Sequence, residues 1–307
     1  MATPAFDLAL KRGMSFTFKE LVDSYMASYQ GSDPARQRHL DWFVESFGDK
    51  VASEIDGDDI QDALDELQRR GKTRTRPGVY KSLSPGTINR YRSAVQAVLT
   101  WGRKRRLMPR DWINPVGETE ALPETNGRVR FLSEDEYQRL LKASKVSKWK
   151  KLHVLIKLAV TTGVRRGTLF ALTWKDVDLK EKRAYAARTK NGDPFVLVLQ
   201  DDVASELEAL RGKALDHELV FCGRDPRKPM NLEKAWYNAL ERACLRDVCF
   251  HTLRHTHASW LAKKGVPLLV IADSMGHKTL AMTKRYSHLC IDTRAELLSR
   301  VFSDIKK

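Results

Sequence analysis

At 307 residues the chain is longer than one hydrophobic core usually supports, so we expect two domains. Its 54 Lys and Arg outnumber its 39 Asp and Glu, and the formal net charge of +15 favours a polyanionic partner, nucleic acid above all. No apolar run approaches the ~20 residues that cross a bilayer, and no signal-peptide pattern begins the chain, so we expect a cytoplasmic protein with no membrane partner. The 4 cysteines form no CxxC pair and are expected to be reduced.

The first third of the chain is predicted to form four helices and no strand. Helix-start signals stand at Thr17, Asp33, Asp58 and Ser84, and each is followed by apolar residues at helical spacing. Almost nothing in this region alternates in the manner of a strand. We therefore predict a helical domain over residues 1–114.

One basic stretch precedes the fourth predicted helix, and a second lies at the end of that helix. A run of basic residues is often only a solvated loop. Two runs at the two ends of one helix, in a strongly basic chain, favour contacts with the phosphates of DNA instead. The candidate DNA-binding residues are Arg69, Arg70, Lys72, Arg74, Arg76, Arg103, Lys104, Arg105 and Arg106.

A stretch rich in turn formers and acids predicts a linker over residues 115–130, followed by a second domain over 131–307. Most of this second domain has helical periodicity. Two strand-like segments, 184–188 and 195–199, flank turn formers and predict a β-hairpin. The predicted fold class is mainly α with a small β-sheet, that is, a helical N-terminal domain and a mixed α+β domain.

The segment His251-Thr-Leu-Arg254-His255 carries the first chemical signal. On a helix these three side chains share one face, because they stand at positions i, i+3 and i+4. A guanidinium grips two phosphate oxygens at once, and an imidazole beside it can donate to the same group or move a proton. Ordinary helix packing and metal ligation by the two histidines are the alternatives, although no HExxH pattern or suitably spaced carboxylate supports a metal.

Further segments in the same order along the chain complete a pattern. Together they resemble the tyrosine recombinase, or phage integrase, family, and the resemblance extends from about Phe131 to His288. It implies a SAM-like core-binding domain at the N-terminus and a catalytic domain after it. The segments are Thr162-Gly163-Val164-Arg165, the turn Thr189-Lys190-Asn191-Gly192, His251-Thr-Leu-Arg254-His255, Met275-Gly276-His277 and Thr283-Lys-Arg-Tyr286-Ser-His288.

The resemblance assigns three of these residues to the scissile phosphate of DNA. Arg165 and Arg254 match the two arginines that hold its nonbridging oxygens, and their charge offsets the negative charge that accumulates in the transition state. His277 matches the position that donates a hydrogen bond to the same phosphate. One position departs from the family pattern, since Thr168 stands where an acidic residue usually supports the site.

The resemblance assigns the steps in which bonds break and form, and protons move, to three other residues. Tyr286 matches the nucleophile that becomes joined to a 3′-phosphate, His251 the histidine that moves a proton at the nucleophile, and Lys190 the general acid that protonates the departing 5′-oxygen. Because the phosphotyrosine keeps the energy of the broken bond, no nucleotide cofactor is expected, and the chain has no phosphate-binding loop motif. No metal is expected either, since arginines can replace metals as charge stabilisers.

The implied function is that of a bacterial or phage-encoded site-specific recombinase that integrates or excises a mobile element. A type IB topoisomerase-like enzyme and a catalytically inactive DNA-binding regulator are the alternatives. Double-stranded DNA is the implied partner. An apolar stripe in the tail, at Leu297, Leu298, Val301 and Phe302, suits docking on a neighbouring copy in a homotetramer or packing on its own domain.

Overall fold

A computed structural model describes residues 15–73, 80–124, 129–186 and 195–290, with 295, 298, 299 and 301–303 of the tail. The chain divides into two compact units, 1–126 and 127–307. It is mostly helical with a small three-stranded sheet, so the predicted fold class is confirmed. Within the described residues, no helix combines the length and apolar character needed to cross a bilayer.

Within the described residues, the first unit is built on the α-helices α1 (Phe18–Ala27), α2 (Arg36–Phe47), α3 (Gly57–Arg70) and α4 (Pro85–Lys104). Capping boxes begin two of them: Thr17 with Glu20 at α1, and Asp56 with Asp59 at α3. The apolar faces meet in one core, in which side chains such as Leu21, Phe43, Ile60 and Val98 are fully buried.

Two features of the first unit differ from the sequence expectations. Strands β1 (Lys72–Thr73) and β2 (Tyr80–Lys81) pair antiparallel where no strand was predicted. The segment expected to begin a linker at residue 115 packs on the helical core instead, because Val116 is fully buried. Arg92 on α4 also binds it, donating to the Val116 carbonyl at 2.8 Å and to the Thr119 hydroxyl at 2.8 Å.

The second unit contains the remaining helices and a three-stranded antiparallel sheet. The sheet order is β3-β4-β5, and β4 pairs with β5 so that Tyr185 lies opposite Val196, as the predicted hairpin requires. The turn of this hairpin, 187–194, lies outside the described residues. The strands are β3 (Val177–Asp178), β4 (Arg183–Ala186) and β5 (Phe195–Val198).

Helices α6, α10 and α11 position the candidate site. A large core that includes Leu155 and Leu253 holds α6 against α10, and a smaller cluster that includes Ala258 and Ile271 joins α10 to α11. Before the tail, the α-helices found among the described residues of this unit are α5 (Glu134–Lys145), α6 (Leu152–Thr162), α7 (Arg166–Ala171), α8 (Asp201–Arg211), α9 (Glu233–Arg242), α10 (Phe250–Lys263), α11 (Leu268–Met275) and α12 (Ala281–Lys284).

Candidate active site

The C-terminal end of α6 positions Arg165, the first of the two arginines expected to bind phosphate. Gly163 ends the helix with φ +63°, in the left-handed region that favours glycine, and its amide donates to the carbonyl oxygen of Ala159. A Cβ atom at this position would overlap the ring of His257, so the close packing of the ring also requires glycine. The chain then turns so that Arg165 caps α7.

Arg254 lies at the centre of the site and is 4% exposed. Its Nη1 donates to two backbone carbonyl oxygens, that of Gly163 at 2.6 Å and that of Met275 at 2.9 Å. Its Nη2 is buried without a hydrogen-bond partner among the described residues. Burial, with the nearby charge of Arg165, lowers the pKa of Arg254 to about 10, which leaves it a cation at neutral pH. A buried cation with an unsatisfied donor favours an anionic ligand.

Three histidines surround this cation. The rings of His251 and His255, one turn apart on α10, meet edge to face with centroids 4.8 Å apart. Burial and neighbouring cations lower the pKa of His251, and they lower the pKa of His255 and of His277 to about 4. All three are therefore neutral at pH 7, and each carries one ring N–H and no charge.

His277 follows α11, which ends at Gly276 in another left-handed turn with φ +61°. The amide of His277 donates to the Ala272 carbonyl at 2.9 Å, and its Nδ1 lies 2.7 Å from the hydroxyl of Thr283. Thr283 is fully buried. The backbone hydrogen bond and the side-chain contact of His277 together fix the orientation of its imidazole ring.

Tyr286 is only 2% exposed. Its hydroxyl lies 2.6 Å from Nδ1 of His255, and its ring packs with Ala258, Ala262 and Ile271. The sequence analysis placed His255 on the same helix face as His251 and Arg254 but did not predict this contact. The available signal was its position four residues after His251, on the same face of α10.

The structure brings five of the six predicted catalytic residues into one region. Arg165 and Tyr286 both act electrostatically on Arg254, and Arg165, Arg254 and His251 act on His277. The sixth residue, Lys190, lies outside the described residues. Within those that are described, no group of three or more His, Cys, Asp or Glu side chains is arranged to hold a metal ion.

Thr168, the departure from the family pattern, is 7% exposed on α7. Its backbone amide donates to the carbonyl oxygen of Arg165 at 3.0 Å, a bond that the first turn of α7 supplies whatever side chain is present. Thr168 thus lies next to Arg165 without adding a negative charge to the site.

The candidate DNA-binding residues fall into two groups with different surroundings. Arg103, Lys104, Arg105 and Arg106 are exposed at the end of α4, and Arg105 also lies over the ring of Trp101. Arg69 and Arg70 instead pair with Glu66, with 2.6 Å between Arg70 and the carboxylate. Arg74, Arg76 and the side chain of Lys72 lie outside the described residues.

The sequence matches the model of the phage integrase family over residues 130–291. It is 30% identical over 179 residues to the integrase of Salmonella phage P22, covering 53% of this chain and 45% of that protein. It is 28% identical over 247 residues to the tyrosine recombinase XerA of Saccharolobus solfataricus, covering 78% of this chain and 77% of that protein. The chain thus spans less than half the length of the P22 integrase.

Two solved structures are similar in fold. A lambda integrase dimer bound to a COC′ core site matches with a TM-score of 0.67 at 19% identity, covering 92% of this chain and 80% of that chain. The Tn1549 transposon integrase in complex with a circular intermediate DNA matches with a TM-score of 0.71 at 15% identity, covering 94% of this chain and 100% of that chain. At these identities the likeness concerns the fold.

Proposed function

Because this chain belongs to the phage integrase family, we propose that it is a site-specific DNA recombinase that cleaves and rejoins DNA through a phosphotyrosine at Tyr286. The observation that carries the proposal is Arg254, a buried cation whose Nη2 has no partner among the described residues, close to Tyr286 and to neutral histidines. A phosphodiester supplies the anion that such a site lacks.

The reaction requires that one bond forms as another breaks. The phenol oxygen of Tyr286 attacks phosphorus, the bond from phosphorus to the 5′-oxygen breaks, and the 3′-phosphate remains on the enzyme. Arg165 and Arg254 offset the charge on the nonbridging oxygens, and an N–H of His277 adds a hydrogen bond. His251 moves the proton at the nucleophile, and Lys190 protonates the departing 5′-oxygen.

The proposed partner is double-stranded DNA. The net charge of +15 and the exposed basic residues at the end of α4 support it, as do similar structures solved in complex with DNA. The likeness to phage and transposon integrases supports integration or excision of a mobile element in the cytoplasm of a bacterium. For assembly we propose a homotetramer joined through the tail, where Leu298, Val301 and Phe302 are more than half exposed.

The test is to map DNA covalently bound to the purified protein. Duplex fragments from a randomised pool, each with a nick that traps the cleaved strand, are incubated with the protein, and the DNA that survives denaturing extraction is sequenced at its ends. We expect one recurrent site joined through a 3′-phosphate, and no adduct with Tyr286→Phe.

Tyr237→Phe is the matched control, because Tyr237 is 65% exposed on α9 and lies outside the proposed site. The absence of any adduct, or one that survives Tyr286→Phe, contradicts the proposal. Adducts accompanied by relaxation of supercoils without joint molecules would instead favour a topoisomerase.

A further inference from the structure

The two carbonyl oxygens that hold the guanidinium of Arg254 come from two separate helix ends. Gly163 directly follows α6, Met275 is the last residue of α11, and Nη1 of Arg254 donates to both, at 2.6 Å and 2.9 Å respectively. A guanidinium is planar and rigid, so these bonds fix its orientation only while the two acceptors keep their separation. The orientation of Arg254 therefore depends on what holds the end of α6 and the end of α11 together.

His257 contacts both of these helix ends. Its Nδ1 lies 2.9 Å from the carbonyl oxygen of Val160, in the last turn of α6, and its Nε2 lies 3.1 Å from the hydroxyl of Ser274 on α11. Its ring packs directly against Gly163. One imidazole thus touches Gly163, which supplies the first carbonyl, and the residue just before Met275, which supplies the second.

We propose that His257 is a positioning residue that sets the orientation of Arg254 by joining the end of α6 to the end of α11. Its effect on strand cleavage rests on the proposed function, whereas its effect on the geometry of Arg254 does not. In this role His257 acts on the phosphate only through Arg254.

The two side chains reach the same helix ends from a common base. Arg254 and His257 stand three residues apart on α10, so they lie on one face of that helix, one turn from each other. Both are buried. Hydrogen bonds in such surroundings are stronger than hydrogen bonds in water, because no solvent competes for the partners. The contacts of His257 can therefore restrain the backbone that Arg254 binds.

Core packing holds the bodies of the helices but not their last turns. α10 packs against both α6 and α11. The carbonyl oxygens of a last helical turn lack partners inside the helix, and helix ends fray. Nδ1 of His257 supplies a partner for one such oxygen, that of Val160. The contact with Ser274 restrains α11 one residue before Met275.

The partners of His257 also decide which ring nitrogen carries the proton. A carbonyl oxygen only accepts, so Nδ1 of the neutral imidazole must donate to Val160, and Nε2 is left as an acceptor. The hydroxyl of Ser274 lies 3.1 Å from Nε2 and 2.9 Å from the carbonyl oxygen of Ile271, so it can donate to either. A replacement for His257 must therefore offer one donor and one acceptor to keep both contacts.

Two reciprocal substitutions separate the hydrogen bonds of His257 from its ring. His257→Phe keeps a ring against Gly163 but has neither donor nor acceptor. His257→Gln lacks the ring, but its amide offers a donor to Val160 and an acceptor to Ser274. We expect His257→Phe to release Arg254 and His257→Gln to retain most of its orientation.

His153→Phe is the matched control. His153 is another largely buried histidine of the same unit, and its Nδ1 likewise contacts a serine hydroxyl, that of Ser144, and a carbonyl oxygen, that of Leu141. It stands near the start of α6, about 15 Å along the helix from Gly163. Its loss is expected to lower stability without changing Arg254.

The first measurement needs no DNA. In protein labelled with nitrogen-15 at arginine, the NMR signals of the Arg254 guanidinium are identified by their loss in Arg254→Lys. We expect rotation of this guanidinium to accelerate roughly twofold to tenfold in His257→Phe, the scale for weakening one hydrogen bond, and to stay near the wild-type rate in His257→Gln and His153→Phe. Unchanged rotation in folded His257→Phe overturns the proposal.

The second measurement is the single-turnover rate of adduct formation at saturating DNA, with the dissociation constant measured in parallel. We expect His257→Phe to slow adduct formation by up to about a hundredfold, the scale for a misplacement of about 1 Å. The dissociation constant should hardly change, since contacts along the whole duplex supply most of the affinity. His257→Gln should recover most of the rate. Equal losses in His257→Phe and His153→Phe would reduce His257 to a structural role and overturn the proposal.

A double substitution tests whether His257 acts through Arg254. In Arg254→Lys the group to be positioned is gone, so adding His257→Phe is expected to slow adduct formation little further. Effects that multiply would show that the two residues act independently, which also overturns the proposal. If the wild type forms no adduct, the proposed function fails, while the NMR signals still decide whether His257 positions Arg254.

Thermal denaturation verifies that each variant is folded at the temperature of the measurements. Should His257→Phe fail to fold, Ser274→Ala takes its place, because it removes only the contact with α11. We expect Ser274→Ala to change guanidinium rotation and adduct formation in the same direction as His257→Phe, by a smaller factor. No change in either quantity would overturn the proposal.

Discussion

Arg254 donates a 2.6 Å hydrogen bond to the carbonyl oxygen of Gly163, 91 residues earlier in the chain. The same Nη1 also reaches the carbonyl oxygen of Met275. One side chain thus joins the ends of α6 and α11, the two helices that deliver Arg165 and His277. Backbone carbonyl oxygens of the site thus position this cation, and its Nη2 has no hydrogen-bond partner in the part of the chain that the structure describes.

Arg254→Lys is expected to lower the rate of adduct formation by about 10²- to 10³-fold, the scale for losing one donor to a transition state. A single ammonium cannot hold both carbonyl oxygens and grip a phosphate in the geometry of a guanidinium. The measurement is the single-turnover rate, with thermal denaturation to verify folding. Arg242→Lys, an exposed position on α9, is the control. A rate within tenfold of the wild type would contradict the role given to Arg254.

Gly163→Ala is expected to destabilise the protein by more than about 1 kcal/mol, since its φ of +63° is costly for any residue with a Cβ. The contact with the ring of His257 adds to this cost. Gly167→Ala is the matched control, because a Cβ there meets nothing within 4 Å and alanine favours the helix, so a gain of roughly 0.5 kcal/mol is expected. Urea denaturation measures both. Equal effects of the two substitutions would refute the packing argument.

Thr283→Val tests how His277 is oriented. When Thr283 donates to Nδ1 of the neutral imidazole, the ring proton stands on Nε2, where it can serve a phosphate. Valine keeps the shape and removes the donor, so adduct formation should slow by up to about a hundredfold. Thr283→Ser should retain most of the activity. Nitrogen-15 NMR of the imidazole reports the tautomer directly, and an unchanged tautomer in Thr283→Val would rule out this arrangement.

The buried imidazole of His257 is expected to make the free energy of unfolding depend on pH. Burial lowers its pKa from 6.5 to about 4, and its Nδ1 lies 2.9 Å from the Val160 carbonyl. Between these pH values the unfolded chain binds a proton that the folded chain does not. The stability that depends on neutral His257 is therefore fully present above about pH 6.5. It is lost as the pH falls toward 4, by up to roughly 3 kcal/mol.

The measurement is the free energy of unfolding in urea from pH 4.5 to pH 7, for the wild type and for His257→Phe. The variant should show a shallower dependence on pH, whatever its absolute stability, because it lacks this proton uptake on unfolding. Identical slopes would show that His257 does not take up a proton on unfolding in this range.

The two basic groups of the helical unit should differ in their contribution to DNA affinity. Replacing Arg103 and Lys104 by Gln is expected to reduce the slope of log affinity against log salt by about 1.8, which corresponds to two phosphate contacts. Replacing Arg69 and Arg70 by Gln should change it less, because both already pair with Glu66. Binding titrations at several salt concentrations measure both slopes, and equal changes would contradict the distinction.

Local sequence patterns were enough to predict most of the helices and to indicate the family of this protein. Capping boxes at Thr17 and Ser133 are visible in sequence because their partners stand three residues away, and the structure contains both. The order of motifs from Arg165 to Tyr286 was likewise sufficient to indicate the family, which the family match supports.

The contacts between these residues, in contrast, are visible only in the folded chain. The contact of His255 with Tyr286 spans 31 residues, and that of Arg254 with Gly163 spans 91. The packing of Val116 on the helical core is likewise a contact that its local sequence does not show. Hydrophobic burial selects such contacts among many competing pairs, and no spacing rule along the chain encodes them. For the same reason the burial of Tyr286 became visible only in the folded chain.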